Sequence, residues 1–308
     1  MKKTVAVYSR SEILVEYARE FLARDKERLR VAYPQRYASG DLTPYRVKKA
    51  AQILPIFLIA SLIAIIMVGA FAGCASSTGS NTGSSTASAA DVKSEGVMTH
   101  AEYIKAELNT EVTIETYVQG KQSWWENKAT VYSQDKDGAY FLYNMACTED
   151  DYAKLVKGTK IKVKGFKSEW SGEIEIIDAT FEIVGGSFIA TARDVTALLG
   201  TDTLIEHQNE FVSFKGLTVE AAGQDADGKD VAFLYNWDGS GEDGNDLYFN
   251  VSVGGGTYTF TVESYLCDKT TDVYAAVKGL KIGDKIDAEG FLYWYEGANP
   301  HITSIKVL

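Results

Sequence analysis

Asn144-Met-Ala-Cys147-Thr-Glu-Asp-Asp-Tyr152-Ala-Lys-Leu-Val156-Lys-Gly158 and Ser264-Tyr-Leu-Cys267-Asp-Lys-Thr-Thr-Asp-Val-Tyr274-Ala-Ala-Val277-Lys-Gly279 are two versions of one pattern. In both, a cysteine precedes a stretch that ends on Lys-Gly. Each then leads into a strand ending on Gly-Phe, at Gly165-Phe166 and Gly290-Phe291, with Trp170 or Trp294 following. Each closes on an apolar strand, Ile176 to Val184 or Ile302 to Leu308. Internal repeats of this size imply one supersecondary unit used twice. The units are expected at 95–186 and 187–308, the second enlarged by an insertion around Asp225 to Gly256.

Both units read as β. Glu111 to Val118, Ala129 to Ser133, Lys160 to Phe166 and Glu173 to Ile176 alternate with period two. Asp135-Lys-Asp-Gly138 between two such runs is a hairpin signal, with Gly138 able to take positive φ. Helical stretches are expected only near Thr99 to Leu108 and Glu149 to Val156. The order strand, strand, strand, short helix, strand, strand, with the Tyr132 to Tyr143 stretch, resembles the OB-fold, in particular OB-like domains of exported bacterial proteins. The fold class is therefore mainly β, two tandem five-stranded OB-like barrels with short helices.

That resemblance implies a ligand across strands two and three and between two loops, which singles out Trp124, Trp125, Tyr132, Tyr140 and Tyr143. Alternation would bury one of Trp124 and Trp125 and expose the other; Trp170 and Trp294, repeated at equivalent places, are expected to be structural. Exposed aromatics stack on bases or on sugar rings, but nucleic acid also needs a positive backbone track. Lys157, Lys160, Lys162, Lys164 and Lys167 supply one, with Lys160, Lys162 and Lys164 on one strand face. The totals oppose it: unit one has 10 Lys and Arg against 16 Asp and Glu, and unit two has 8 against 19. Phosphate affinity follows local positive charge. A lysine row on a solvated edge strand, discouraging aggregation, is the expectation, and an oligosaccharide, peptide or protein fits better than a polyanion.

Unit two carries Asp225, Asp227 and Asp230, then Asp238, Asp243 and Asp246, on Gly-rich loops. Clustered carboxylates suit Ca²⁺, but neither stretch has the closing Glu of an EF-hand, and solvated acidic turns are expected. No other cofactor is implied. Cys147 and Cys267 occupy the same place in separate units and are expected to be buried free thiols. His100, His207 and His301 lack metal-ligand spacing. No catalytic signature is present, so a binding or scaffolding role is expected over an enzyme; an accessory of exported nucleic-acid or glycan processing is the alternative.

Upstream, residues 50–74 carry no charge, and Ile53 to Ala72 is long enough to span a ~30 Å hydrocarbon core as a helix. The run ends on Phe71-Ala72-Gly73-Cys74, which resembles the lipobox of bacterial lipoprotein signals, with Phe in place of the commoner Leu. The resemblance implies cleavage after Gly73 and lipidation of Cys74. An uncleaved membrane anchor is the other reading of so long a run. Residues 1–49 hold 12 Lys and Arg against 6 Asp and Glu, and residues 75–308 hold 19 against 36, so the positive-inside rule sends the acidic part outward. The expected location is the outer side of a bacterial cell membrane. Residues 1–49 are either a basic cytoplasmic segment or upstream of a true start at Val47, which would open Met-Lys-Lys. Residues 75–94, rich in Ser, Thr, Gly and Ala, read as a flexible tether.

Overall fold

The computed structural model describes residues 93–225 and 227–308. The expectations for the Cys74 box, the apolar run and nearly all of the tether lie outside them. Among the described residues no helix is long and apolar enough to cross a membrane.

The chain enters through α1 (His100–Lys105), whose N-cap Thr99 and third residue Glu102 form a reciprocal capping box. Next come β1 (Glu111–Lys121), β2 (Lys128–Gln134), β3 (Ala139–Ala146), α2 (Glu149–Lys154), β4 (Thr159–Trp170) and β5 (Glu173–Ser187). These strands close into a barrel in the order β1-β2-β3-β5-β4, with β3 and β5 parallel at Phe141 and Glu175. Val112, Ile114, Val131, Leu142, Ile161 and Val163 alternate inward and fill it.

The second unit begins with the short β6 (Arg193–Asp194), two 3₁₀ turns and β7 (Phe211–Glu220). A long excursion holds β8 (Gly223–Gln224), β9 (Asp230–Val231) and β10 (Phe233–Tyr235). Then follow β11 (Leu247–Val253), β12 (Gly256–Val262), α3 (Asp272–Gly279), β13 (Lys285–Phe291) and β14 (His301–Val307). Pairings β7–β11, β11–β12, β12–β14, β14–β13 and β13–β7 retrace the circuit of the first barrel, again with one parallel step, at Thr261 and His301. The OB arrangement is thus present twice. The insertion is shorter than expected, running from 221 to 246, because Leu247, Phe249 and Val251 are buried on β11 as the second strand of the barrel.

The repeated Gly-Phe has a packing cause. A side chain at Gly165 would run into Ile176, Ala179 and the Ile177 carbonyl, and one at Gly290 into the His301–Ile302 backbone. Register shifts fall at both places, where the fourth strand presses on the fifth. The Asp135–Gly138 turn forms, with the Asp135 carboxylate accepting the N–H groups of Asp137 at 2.7 Å and Gly138 at 2.8 Å. Gly138 does not adopt positive φ. It is required because the His100 ring lies where its side chain would be.

The two barrels share a third apolar cluster: Tyr132 and Phe141 of the first, Phe211 and Phe291 of the second, and Ala190 of the connection. Gln119 holds that connection, donating to the Phe188 carbonyl and accepting the Ala190 N–H.

Candidate functional site

In both barrels one set of side chains on strands two and three points outward, and these sets differ. On β2 and β3 the outward row holds Tyr132, Phe141 and Tyr143, and the second barrel covers it. Phe291 stacks on Tyr132 with ring centroids 4.5 Å apart and planes at 19°. The Tyr132 hydroxyl is hydrogen-bonded to His301 Nδ1 at 2.6 Å, and His301 in turn stacks on Tyr293. Around these rings run polar ties: Phe211 N–H to Gln134, Asn209 to the Ile174 carbonyl, Glu296 N–H to the Ser171 carbonyl, and Ser123 N–H to the Tyr265 carbonyl.

This arrangement relocates the expected ligand residues. Tyr132 is buried in the seam. Tyr140 points the other way, into the first barrel, against Tyr103 and His100, with its hydroxyl on Asp135. Tyr143 is half-buried against the seam. Trp124 is half-buried and donates its indole N–H to the Cys147 carbonyl at 2.9 Å, while Trp125 is exposed. Trp124, Trp125 and Tyr132 therefore do not share one exposed cleft.

The lysine row is likewise committed. Lys160 pairs with Glu115 at 2.8 Å, Lys164 with Glu111 at 3.2 Å and Lys162 with Glu182 at 4.0 Å. Buried Lys167 donates to the carbonyls of Tyr103, Ile104 and Ala106, closing the end of α1. The expected edge is absent, because β4 is paired on both sides inside a closed barrel.

On the second barrel the outward row is polar: Tyr248, Asn250 and Ser252 on β11, with Thr257 and Thr259 on β12. Thr257 and Thr259 are exposed and the other three half-buried. Thr259 donates to Asn250 Oδ1, Asn250 donates to the Ala221 carbonyl, and Ser252 donates to Glu220. Beside β11 lies β10, with Leu234 opposite Tyr248. Two residues past β10, Trp237 is half exposed. Burial, then the carboxylates of Asp246 and Glu263, with Tyr295 and Asp238, push the Tyr248 hydroxyl upward. These groups therefore gather around it, in surroundings that repel anions. Tyr248 and Trp237 were missed by sequence reasoning, which looked to the first unit. The alternation of Leu247, Phe249 and Val251 with Tyr248, Asn250 and Ser252 was the available signal.

The acidic turns are engaged with their own backbone. Asp225 accepts from the N–H groups of Asp227 and Lys229, Asp238 from Ser240, and Asp246 from Ser264. Asp230 accepts from Gln224, and Asp243 pairs with Lys278 at 2.6 Å. Among the described residues no three His, Cys, Asp or Glu side chains converge as a metal site. Cys147 and Cys267 are free and buried. Burial pushes their thiols up to about 11 and about 12, which leaves them unreactive. An open groove of about 620 Å³ on the first barrel is lined by Phe181, Ile183, Cys147 and the Asp151–Lys154 pair.

No protein-family model matches the chain, and no curated protein matches it. Solved structures similar to it include the p204 HINb domain, 10% identical, covering 66% of this chain and 100% of that one at a TM-score of 0.32. The Ifi202 HINa domain in complex with 20bp dsDNA is 13% identical, covering 64% and 98% at 0.29. A replication protein A heterotrimer bound to ssDNA is 12% identical, covering 65% and 48% at 0.28. Likeness at this level carries no information about ligand.

Proposed function

We propose that the chain is a non-catalytic binding protein whose ligand surface is the outer face of β11 and β12, between the 221–246 insertion and the loop after β13. One observation carries this reading. The equivalent face of the first barrel is filled by Phe291, whereas here Thr257 and Thr259 are exposed, Tyr248, Asn250 and Ser252 are half-buried, and the exposed Trp237 follows the neighbouring β10. OB barrels hold oligonucleotides and oligosaccharides across this face and its flanking loops. Here the face offers hydroxyl and amide groups, a tyrosine and a rim of carboxylates, which favours an uncharged sugar chain stacking on Tyr248 and Trp237. We further propose that the barrels act outside the cell, tethered through Cys74; loss of palmitate incorporation in Cys74→Ser tests that part.

Calorimetric titration with neutral oligosaccharides tests the surface. Micromolar binding that weakens at least about tenfold in Trp237→Ala, roughly the loss of one stacking contact, supports it. Absence of binding across the panel rejects it. DNA is the second reading, carried by the OB face itself, and it enters as a parallel arm. It predicts affinity that falls steeply with salt, and the paired lysines weigh against it.

A further inference from the structure

The seam buries carboxyl groups and supplies no cation to them. Glu173, at the start of β5, is 0% exposed. Its Oε2 accepts the Trp294 N–H at 2.9 Å and Gln208 Nε2 at 3.2 Å, both from the second barrel, and the Asn209 side chain lies beside the carboxyl. Glu263, just past β12, is 9% exposed. Its Oε2 accepts Gln122 Nε2 of the first barrel at 3.1 Å, and its Oε1 accepts the Tyr265 N–H. Among the described residues no ion pair involves either one.

The titratable groups around them add no positive charge. Glu173 faces Glu175 on its own strand, Tyr103 on α1 and Tyr132 on β2. Glu263 faces Asp246 ahead of β11, Tyr248 on β11, Tyr132 on β2, and Tyr265 and Cys267 on its own loop. His301, hydrogen-bonded to Tyr132 across the seam, is held neutral by burial, its pKa lowered to about 3. A carboxylate in such a place gives up its charge rather than stay ionised.

We propose that docking of the two barrels is coupled to proton uptake, with Glu173 and Glu263 seated in the seam as neutral carboxylic acids whose ionisation loosens the contact. Burial first, and the Asp246 carboxylate second, push Glu263 up to about 8. Burial, reinforced by Glu175, carries Glu173 well above the usual carboxylate range. Both folded values lie above the unfolded ones, so the coupling is whole below the ordinary value of 4.5 and is lost as pH rises from there toward the raised values. The inference is independent of any ligand.

Amide exchange on the full chain from about pH 6 to about pH 9 tests it, corrected for the intrinsic rate. Protection of seam amides, Trp294, Glu296 and Ser123 among them, is expected to fall about tenfold per pH unit for each carboxyl, up to its raised pKa. Amides of the barrel ladders fall less. The E173Q/E263Q double variant keeps seam protection flat. Should it fail to fold, an infrared titration of the wild type reads the same property: a protonated-carboxyl C=O band present at about pH 7 and gone at high pH. Flat seam protection in the wild type, a pH response that persists in the folded double variant, or no such band near neutrality overturns the proposal.

Discussion

The two barrels follow one circuit of strands and put opposite chemistry on the same face. Tyr132, Phe141 and Tyr143 make the first barrel's outer face aromatic; Asn250, Ser252, Thr257 and Thr259 make the second's polar. A contiguous apolar face needs a cover, and the covering group comes from the other barrel. Phe166 and Phe291 follow the same repeated glycine, yet Phe166 is 40% exposed and Phe291 is 3% exposed on Tyr132. Repetition thus preserves the interior of the unit, while the surface decides which copy braces and which stays available.

Truncating that repeated phenylalanine breaks the comparison most directly. Phe291→Ala is expected to cost about 3–5 kcal/mol, as for a buried aromatic whose cavity cannot collapse. Phe166→Ala should cost less than about 1 kcal/mol. Urea unfolding of the full chain measures both, and equal losses would mean that the seam does not depend on Phe291. The glycines should behave alike instead: Gly165→Ala and Gly290→Ala each force a side chain against backbone, for about 1–3 kcal/mol or more. A large effect in one barrel alone would show that the fourth and fifth strands are not packed equivalently.

Much of the fold was legible because its signals are local. The period-two runs, the helix near Thr99 and the Asp135 turn each involve residues near in sequence, and each forms. The candidate binding face was less legible. Tyr140 and Tyr143 lie three apart on one strand, so alternation puts them on opposite faces; Phe141 was the proper partner of Tyr143. Alternation names the face of a strand but not what lies on it, because a tyrosine facing outward looks the same under solvent or under another domain. The lysine row misled for a similar reason: Glu111 and Glu115, which neutralise two of its members, are about fifty residues away in sequence.

The comparison extends to the fifth strands, where Glu175 pairs with Phe141 in the first barrel and His301 takes the matching place beside Thr261 in the second. Burial lowers His301 to about 3 from an ordinary 6.5. The unfolded chain therefore binds a proton that the folded one refuses between those values. The stability tied to the neutral ring is whole above about 6.5 and is lost as pH falls toward about 3. The urea-midpoint difference between wild type and His301→Gln should move in the variant's favour on acidification across that window. An unchanged slope in the variant would place the acid sensitivity elsewhere.

The smallest effects belong to the lysine row, and their ranking tests whether it is structural or a track for phosphate. Lys162, half-buried, meets the exposed Glu182 at 4.0 Å, and Lys164 meets Glu111 at 3.2 Å with both side chains exposed. Alanine at either should cost no more than about 0.5–1 kcal/mol. Lys160 differs because its partner Glu115 is buried. Burial alone would raise the Glu115 carboxyl, but Lys160 and Ser94 more than offset it and hold it below the ordinary range. Lys160→Ala strands that carboxylate and should cost more than either neighbour, with the excess fading as acid protonates Glu115. A structural row thus predicts unequal stability losses and unchanged ligand binding. A phosphate track predicts three similar losses of DNA affinity, each lowering the salt slope by about one. Measuring both properties on the same three variants separates the readings.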